Sequence, residues 1–294
     1  MNFPLARLGV DIGGTFTDVV LEAGGNSYSK KVLTTYSAPE TAIVDGMQQV
    51  CTKAGITPAQ IGQIIHGTTL ATNALIERRG AKTALITTQG FRDVIEMRTE
   101  SRFEQYDLNL NLPEPLLPRQ MRFTVQERVD ANGQVLISLD RAEVEAVVDR
   151  IAVAGFESVA VGLLHSYLNP AHEQLIREVL DERLPDVAVS ISSEVSPQMR
   201  EYERFNTVVA NAYIKPLMAS YLGRLEARLQ EEGVSCRIFL MHSGGGIISL
   251  QNAAEFPVRL VESGPAGGAV FAAHIAARYG LDKVLSLSLI HISE

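Results

Sequence analysis

The chain has 294 residues, 46% hydrophobic and 20% charged, an ordinary globular composition long enough for about two domains. A net charge of −8 and a pI near 5.4 exclude the broadly basic face of a general nucleic-acid binder. Cys51 and Cys236 share no metal-like spacing and fit a reducing compartment. No basic segment leads into an apolar stretch at the start, and no run approaches the roughly 20 apolar residues of a membrane span, so the expected location is the cytoplasm.

In chain order, apolar runs at 5–10 and 16–21 flank Gly13 and Gly14, which predicts a β-hairpin turning at the glycines. A third strand is expected at 27–33, after Gly24, Gly25 and Asn26. A helix over 39–54 follows, with Ser37 as cap, Glu40 completing a capping box, and Ile43, Met47 and Val50 at helical spacing before Gly55. Strand 63–66, helix 69–78 and strand 83–88 come next, then a helix from about 91 and a Pro- and Asn-rich excursion over 99–120. Runs at 122–129 and 134–138, joined through Asn132 and Gly133, predict a second hairpin. Helix 139–153 with Asp140 near its cap, strand 158–163, helix 170–183 with Pro170 in its first turn and strand 187–191 continue the alternation. A long helix over 196–229, bent near Pro216, strand 236–241 and helix 264–279 complete it. The expected class is α/β with a mixed sheet, divided into 1–191 and 192–294 where the long helix begins.

The first hairpin carries the clearest chemistry. Gly13 and Gly14 permit a turn at positive φ and let backbone N–H groups approach an anion, while Thr15 and Thr17 add hydroxyls. Asp11, at the end of the first strand, offers a hard oxygen ligand for Mg²⁺, reached through water. Metal and phosphate donors side by side are what phosphoryl transfer requires. Strand–turn–strand geometry separates the motif from a P-loop and from the GxGxxG fingerprint. The residues alone also allow a plain tight hairpin.

The order hairpin, third strand, helix resembles the first half of the actin-like ATPase (RNase H-like) fold. GVDIGGTFTDVVL (9–21), HGTTLATNAL (66–75), GFRDVIEMR (90–98), GLLHSYLNPAHE (162–173), SEVSPQMREYERFNTVVANAYIKP (193–216), HSGGG (242–246) and ESGPAGG (262–268) together resemble the hydantoinase A/5-oxoprolinase family, over about residues 7–287. The resemblance implies an ATP- and Mg²⁺-dependent enzyme that phosphorylates the carbonyl oxygen of a hydantoin- or 5-oxoproline-type cyclic amide. The alternatives are an acetone/acetophenone-carboxylase-like subunit and a non-catalytic nucleotide-gated module. It further implies a small cyclic amide or ketone substrate and a hydantoinase B-type partner, with no nucleic acid or membrane. In that family a second DxGGT motif follows the strand that 283–287 would begin. Here SLIHISE (288–294) stands instead, so a truncated second domain holding one half of a nucleotide clamp is expected.

Other candidates are less distinctive. His66, Thr68 and Thr69 lie at a strand end before a helix, where an anion site and a helix-capping histidine are both open; Asn73 is one turn on. The resemblance makes His66 a catalytic candidate and Thr68, Thr69 and Asn73 substrate-binding candidates. Ser243, Gly244 and Gly245 follow strand 236–241, a position where α/β sheets bind ligands, with His242 beside them and no GxSxG elbow. The glycines of 262–268 fit either phosphate approach or tight helix packing. Arg92, Arg98 and Arg102 with Glu96 and Glu100 read as a solvated face before a carboxylate clamp. His165 reads as a buried loop histidine before a general base. No His/Cys cluster or paired carboxylates suggest zinc or glycosidase chemistry.

Overall fold

The computed structural model describes residues 6–35, 37–99, 106–109 and 112–286. They form two compact units, Met1–Glu77 with Leu217–Glu294, and Arg78–Pro216.

The first unit opens with β1 (Ala6–Ile12), β2 (Phe16–Ala23) and β3 (Asn26–Leu33), an antiparallel meander. Leu8, Val10 and Ile12 are buried while Arg7 and Asp11 are exposed, the period-two pattern of a sheet with one covered face. Gly24 and Gly25 both take positive φ, 58° and 80°, as a two-residue hairpin turn demands. α1 (Pro39–Ala54) buries Ile43, Met47 and Val50 on the sheet, each contributing roughly 1.5–3 kcal/mol. Its start differs from the expected capping box. Ala38 is the N-cap, Pro39 opens the first turn, and no side chain caps it. Glu40 instead accepts a 2.9 Å bond from Arg224 Nε, a charged partner that outcompetes a local cap. Gly55, at φ 69°, ends the helix as expected. β4 (Ile61–Thr68) pairs in parallel with β1, and α2 (Leu70–Ile76) follows it.

The second unit is built on four parallel strands. β5 (Thr83–Thr88) is buried at all six positions, as a central parallel strand should be. α3 (Val94–Met97) is a single turn, shorter than expected. Excursion carbonyls are held by arginines: Arg78 Nη1 donates to Pro115 O at 3.0 Å and Arg92 Nη2 to Arg119 O at 2.8 Å. β6 (Arg122–Val125) pairs in parallel with β5, so the expected hairpin is confined to β7 (Arg128–Val129) and β8 (Val135–Ile137). Pairing with a buried strand wins over the nearby turn because Phe123 and Val125 then enter the core. α4 (Arg141–Ala154), capped by Asp140 accepting from Ala142 N, precedes β9 (Ser158–Gly162). α5 (Ala171–Arg183) and β10 (Ala188–Ile191) follow, giving the order β10-β9-β5-β6. Val144, Val148, Ile151, Ile176 and Val179 pack with Ala84, Ile86, Val159 and Val161 as its core. α6 (Ser192–Val195) leads to α7 (Glu201–Glu231), with Pro216 inside it.

The chain then returns to the first unit. β11 (Arg237–Met241) joins β4 in parallel, and β12 (Ile247–Ser249) closes the order β12-β11-β4-β1-β2-β3. α8 (Leu250–Glu255) and α9 (Ser263–Tyr279) follow. These compact units are drawn differently from a cut near residue 192, because β11 pairs with β4 and returns the chain to the first sheet. Residues 283–286 form no strand, and 287–294 lie outside the described residues.

Candidate functional site

β1, β4 and β11 are parallel neighbours, so their carboxyl ends lie along one edge of the first sheet. Three of the motifs sit there: Asp11–Thr15 from the last residues of β1, Gly67–Asn73 from the last residues of β4, and His242–Gly246 after β11. α9 adds a fourth. Glu262 N donates to Thr72 Oγ1 at 3.3 Å, and Ser263 Oγ to the Thr68 carbonyl at 3.4 Å.

Asp11 pairs in register with Gly67, and a Cβ on Gly67 would lie 2.9 Å from Asp11 Oδ1. The carboxylate therefore rests across bare backbone. It is reached by solvent, yet the surrounding protein displaces enough water to raise its pKa above the usual carboxylate value. Asp18, directly opposite on β2, adds to that rise, while Lys31 opposes it. Lys31 Nζ is itself bound to Asp18 at 2.9 Å.

The glycine turn works differently from the expectation. Neither Gly13 nor Gly14 is at positive φ. Small size matters at Gly13, where a Cβ would sit 3.0 Å from the Phe16 carbonyl, whereas a Cβ at Gly14 would meet nothing within 4 Å. Gly13 N donates to Phe16 O at 2.9 Å, closing a two-residue loop of Gly14 and Thr15. Thr34 braces it: its N–H donates to Thr15 O at 3.0 Å and its hydroxyl to Gly13 O at 3.1 Å. That commits the single Thr34 hydroxyl proton, so Thr17 must be the donor in the 2.9 Å Thr17–Thr34 bond. Thr17 is fully buried and has no proton left to offer a phosphate. The outward donors are the amides of Gly14 and Thr15 and the Thr15 hydroxyl, which take no acceptor among the described residues.

Strand alternation sorts the HGTT segment. His66 and Thr68 turn to the covered face and are buried, whereas Gly67 lies on the face of Asp11. His66 thus points away from the sheet edge that an anion or a helix cap would occupy. Its Nε2 meets Tyr221 Oη at 2.7 Å, and burial drives its pKa down to about 4, offset a little by the Val10 carbonyl. Thr68 Oγ1 accepts from Leu70 N at 3.2 Å. Thr69 donates both N–H and hydroxyl to Ile12 O, each at 3.2 Å, and Asn73 Nδ2 reaches Thr69 Oγ1 at 3.3 Å. These two residues fasten α2 to the end of β1.

In the HSGGG turn, Gly244 N donates to His242 Nδ1 at 2.9 Å, and Gly245 takes φ 79°. Ser243 is exposed, with its amide held by Arg259 O at 2.9 Å. Met241 Cε lies 3.7 Å from a Cβ built on Gly267, so this one α9 glycine reaches van der Waals contact with β11.

The remaining candidates belong to the second unit. Glu96 accepts from the buried Arg122 at 3.1 Å, and Arg98 donates to the Pro113 carbonyl, so these charges are spent on structure. Glu100 and Arg102 lie outside the described residues. His165 follows β9 at φ 52°, with Nδ1 buried and unpartnered among the described residues. Among the described residues no three His, Cys, Asp or Glu side chains converge as a metal cage, and no helix is long and apolar enough to cross a membrane. The sequence reading missed Thr34 and Tyr221. Neither lies in a site-like motif, and only tertiary contact reveals them.

Comparison with known proteins is consistent along the chain. Residues 7–184 match the family described as "Hydantoinase/oxoprolinase N-terminal region", and 204–289 the one described as "Hydantoinase/oxoprolinase". Caprolactamase subunit alpha of Pseudomonas jessenii is 35% identical over 290 residues, covering 96% of this chain and 42% of that one. The crystal structure of the ATP-dependent caprolactamase from that organism superposes with a TM-score of 0.84 over 94% of this chain and 41% of its own. Nucleotide-free acetone carboxylase gives 0.85 at 26% identity, over 93% and 41%. The acetophenone carboxylase gamma subunit of Aromatoleum aromaticum is 29% identical, over 94% and 40%. The chain thus spans about two fifths of the length of these relatives. The fold is the mixed α/β fold of the actin-like ATPases, as the motif order implied.

Proposed function

Because this chain belongs to the hydantoinase/oxoprolinase family, we propose that it supplies one half of the nucleotide site of an enzyme that uses ATP to activate the carbonyl oxygen of a small organic compound. The observation that carries the reading is the Asp11 carboxylate lying across Gly67 beside the unpaired Gly14 and Thr15 amides. The donor set suits Mg²⁺. One hard carboxylate, made costly to ionise by its surroundings and by Asp18, is relieved by a divalent cation that keeps its own waters. Asp11 would hold the ion, and the Gly14 and Thr15 donors would orient phosphate oxygens. Thr17, Thr34, Thr69 and Asn73 hold that turn and strand end in place. Mg·ATP, when bound, supplies the phosphoryl group that turns a poor carbonyl electrophile into a reactive one.

The carboxylase relatives support an acetone/acetophenone-carboxylase-like subunit better than a hydrolase of hydantoin or 5-oxoproline. Identity of 35% to a caprolactamase subunit supports a second reading, in which water opens a lactam. Those relatives are named as subunits, which supports a partner subunit here. Ser243 and Gly244, exposed at the same sheet edge, are the side proposed to meet the substrate, with Gly245 shaping their turn. Phosphate release by the native protein with its partner subunit, measured with acetone, acetophenone or caprolactam and with or without bicarbonate, tests this. Carboxylation requires bicarbonate for turnover and lactam opening does not. Nucleotide binding with turnover indifferent to every carbonyl compound would instead mark a nucleotide-gated module and overturn the enzymatic reading.

A further inference from the structure

We propose that the buried Tyr221–His66 hydrogen bond is a positioning element for Asp11, setting the β4 backbone at Gly67 on which the carboxylate rests. This inference rests on Asp11 being the cation-holding group.

The register carries the argument. Val10 pairs with His66, His66 with Leu240, and the next step along β1 and β4 pairs Asp11 with Gly67. His66 and Gly67 are consecutive, so one side chain is locked into the covered face while the next residue forms the floor under Asp11. His66 is 1% exposed and Tyr221 2%. The Val10 carbonyl beside the ring favours the proton on Nδ1, which leaves Nε2 to accept from the Tyr221 hydroxyl at 2.7 Å, and burial, by raising the Tyr221 pKa, keeps that proton on the phenol. The imidazole then carries its own proton on Nδ1, on the side of the Val10 carbonyl, where it reaches no hydrogen-bond geometry. Among the described residues the Nε2 bond is thus the ring's well-formed hydrogen bond, with the Val10 carbonyl a weaker contact beside Nδ1. Tyr221 is in turn fixed by α7, which Arg224 ties to Glu40 of α1 at 2.9 Å, while just past its end Gln48 of α1 donates to Glu232 at 2.8 Å. Without the phenol hydroxyl the imidazole is free to tip, and β4 can shift at Gly67. With only 2.9 Å between the position of a Gly67 Cβ and Asp11 Oδ1, a small shift moves the carboxylate off its floor.

The test is Mn²⁺ binding, followed by water-proton relaxation on the whole chain, in wild type, Asp11→Asn, Tyr221→Phe, His66→Ala and His66→Gln. Asp11→Asn is expected to abolish the site. Tyr221→Phe and His66→Ala should weaken binding roughly three- to tenfold, less than the 10–100-fold typical of a direct outer-shell partner. His66→Gln, which keeps an acceptor for the phenol, should recover most of the affinity. Val148→Ala, a cavity in the core of the second unit, supplies a destabilised control with unaltered Mn²⁺ affinity. Unchanged affinity in folded Tyr221→Phe, with Asp11→Asn still abolishing binding, overturns the positioning role and leaves the Asp11 assignment standing. Binding unaffected by Asp11→Asn removes the assignment and the inference together.

Discussion

His66 should make the first unit acid-sensitive in a way that one substitution can isolate. Its folded-state pKa is about 4, against an ordinary value of 6.5, because complete burial penalises the imidazolium. Since the folded value is the lower one, the unfolded chain takes up the proton first as the pH falls. The contribution is fully present above pH 6.5 and is lost progressively down to about pH 4. At ~1.4 kcal/mol per pKa unit, that gap amounts to about 3 kcal/mol. Replacing His66 with Gln removes the titration and keeps an acceptor for Tyr221. Urea unfolding of both proteins at steps between pH 7.5 and 4.5, spanning most of that pKa gap, should show wild-type stability falling faster. The difference should approach ~1.4 kcal/mol per pH unit in the middle of the range. Other groups titrate in both proteins and cancel in the difference. Parallel stability curves, or an imidazole that NMR finds titrating near 6.5, would show that His66 is not held neutral by burial.

Three further substitutions probe other parts of the molecule. Gly67→Ala places a methyl 2.9 Å from Asp11 Oδ1, so Mn²⁺ affinity should drop roughly tenfold with an unchanged circular dichroism spectrum; undiminished binding would mean Asp11 does not rest there. Gly80→Ala drives a Cβ to within 2.2 Å of Tyr213 ring carbons, and calorimetry should register a loss of about 1–3 kcal/mol, with a neutral result refuting that close packing. Glu127 is buried and accepts from the Thr88 hydroxyl and, at 2.8 Å, from His172 Nδ1. Glu127→Gln leaves one acceptor oxygen for two donors and should cost about 1–3 kcal/mol in urea unfolding; equal stability would show that the second bond is dispensable.

Local pattern alone determined much of this protein. Period-two burial in β1, the Gly24–Gly25 turn, the Asp140 cap and the Gly55 stop are set by neighbouring residues, and each was legible from a few positions. So was the bare-backbone turn beside Asp11, although neither glycine takes the expected positive φ and only Gly13 makes a close approach. Long-range pairing was not legible. An apolar run such as 236–241 does not say which strand it will join, and its choice of β4 makes the first unit discontinuous. For the same reason β6 left the hairpin that its turn signal favoured, since burial against β5 outweighs a local turn. The sidedness of the site was also a tertiary decision. A histidine beside glycine and two threonines at a strand end leaves an anion site and a helix-capping histidine both open until the register with β1 fixes which residues face inward. Pairing then turns His66 to Tyr221, commits Thr17 to Thr34, and leaves Gly67 under Asp11, because adjacent residues of a strand point to opposite faces.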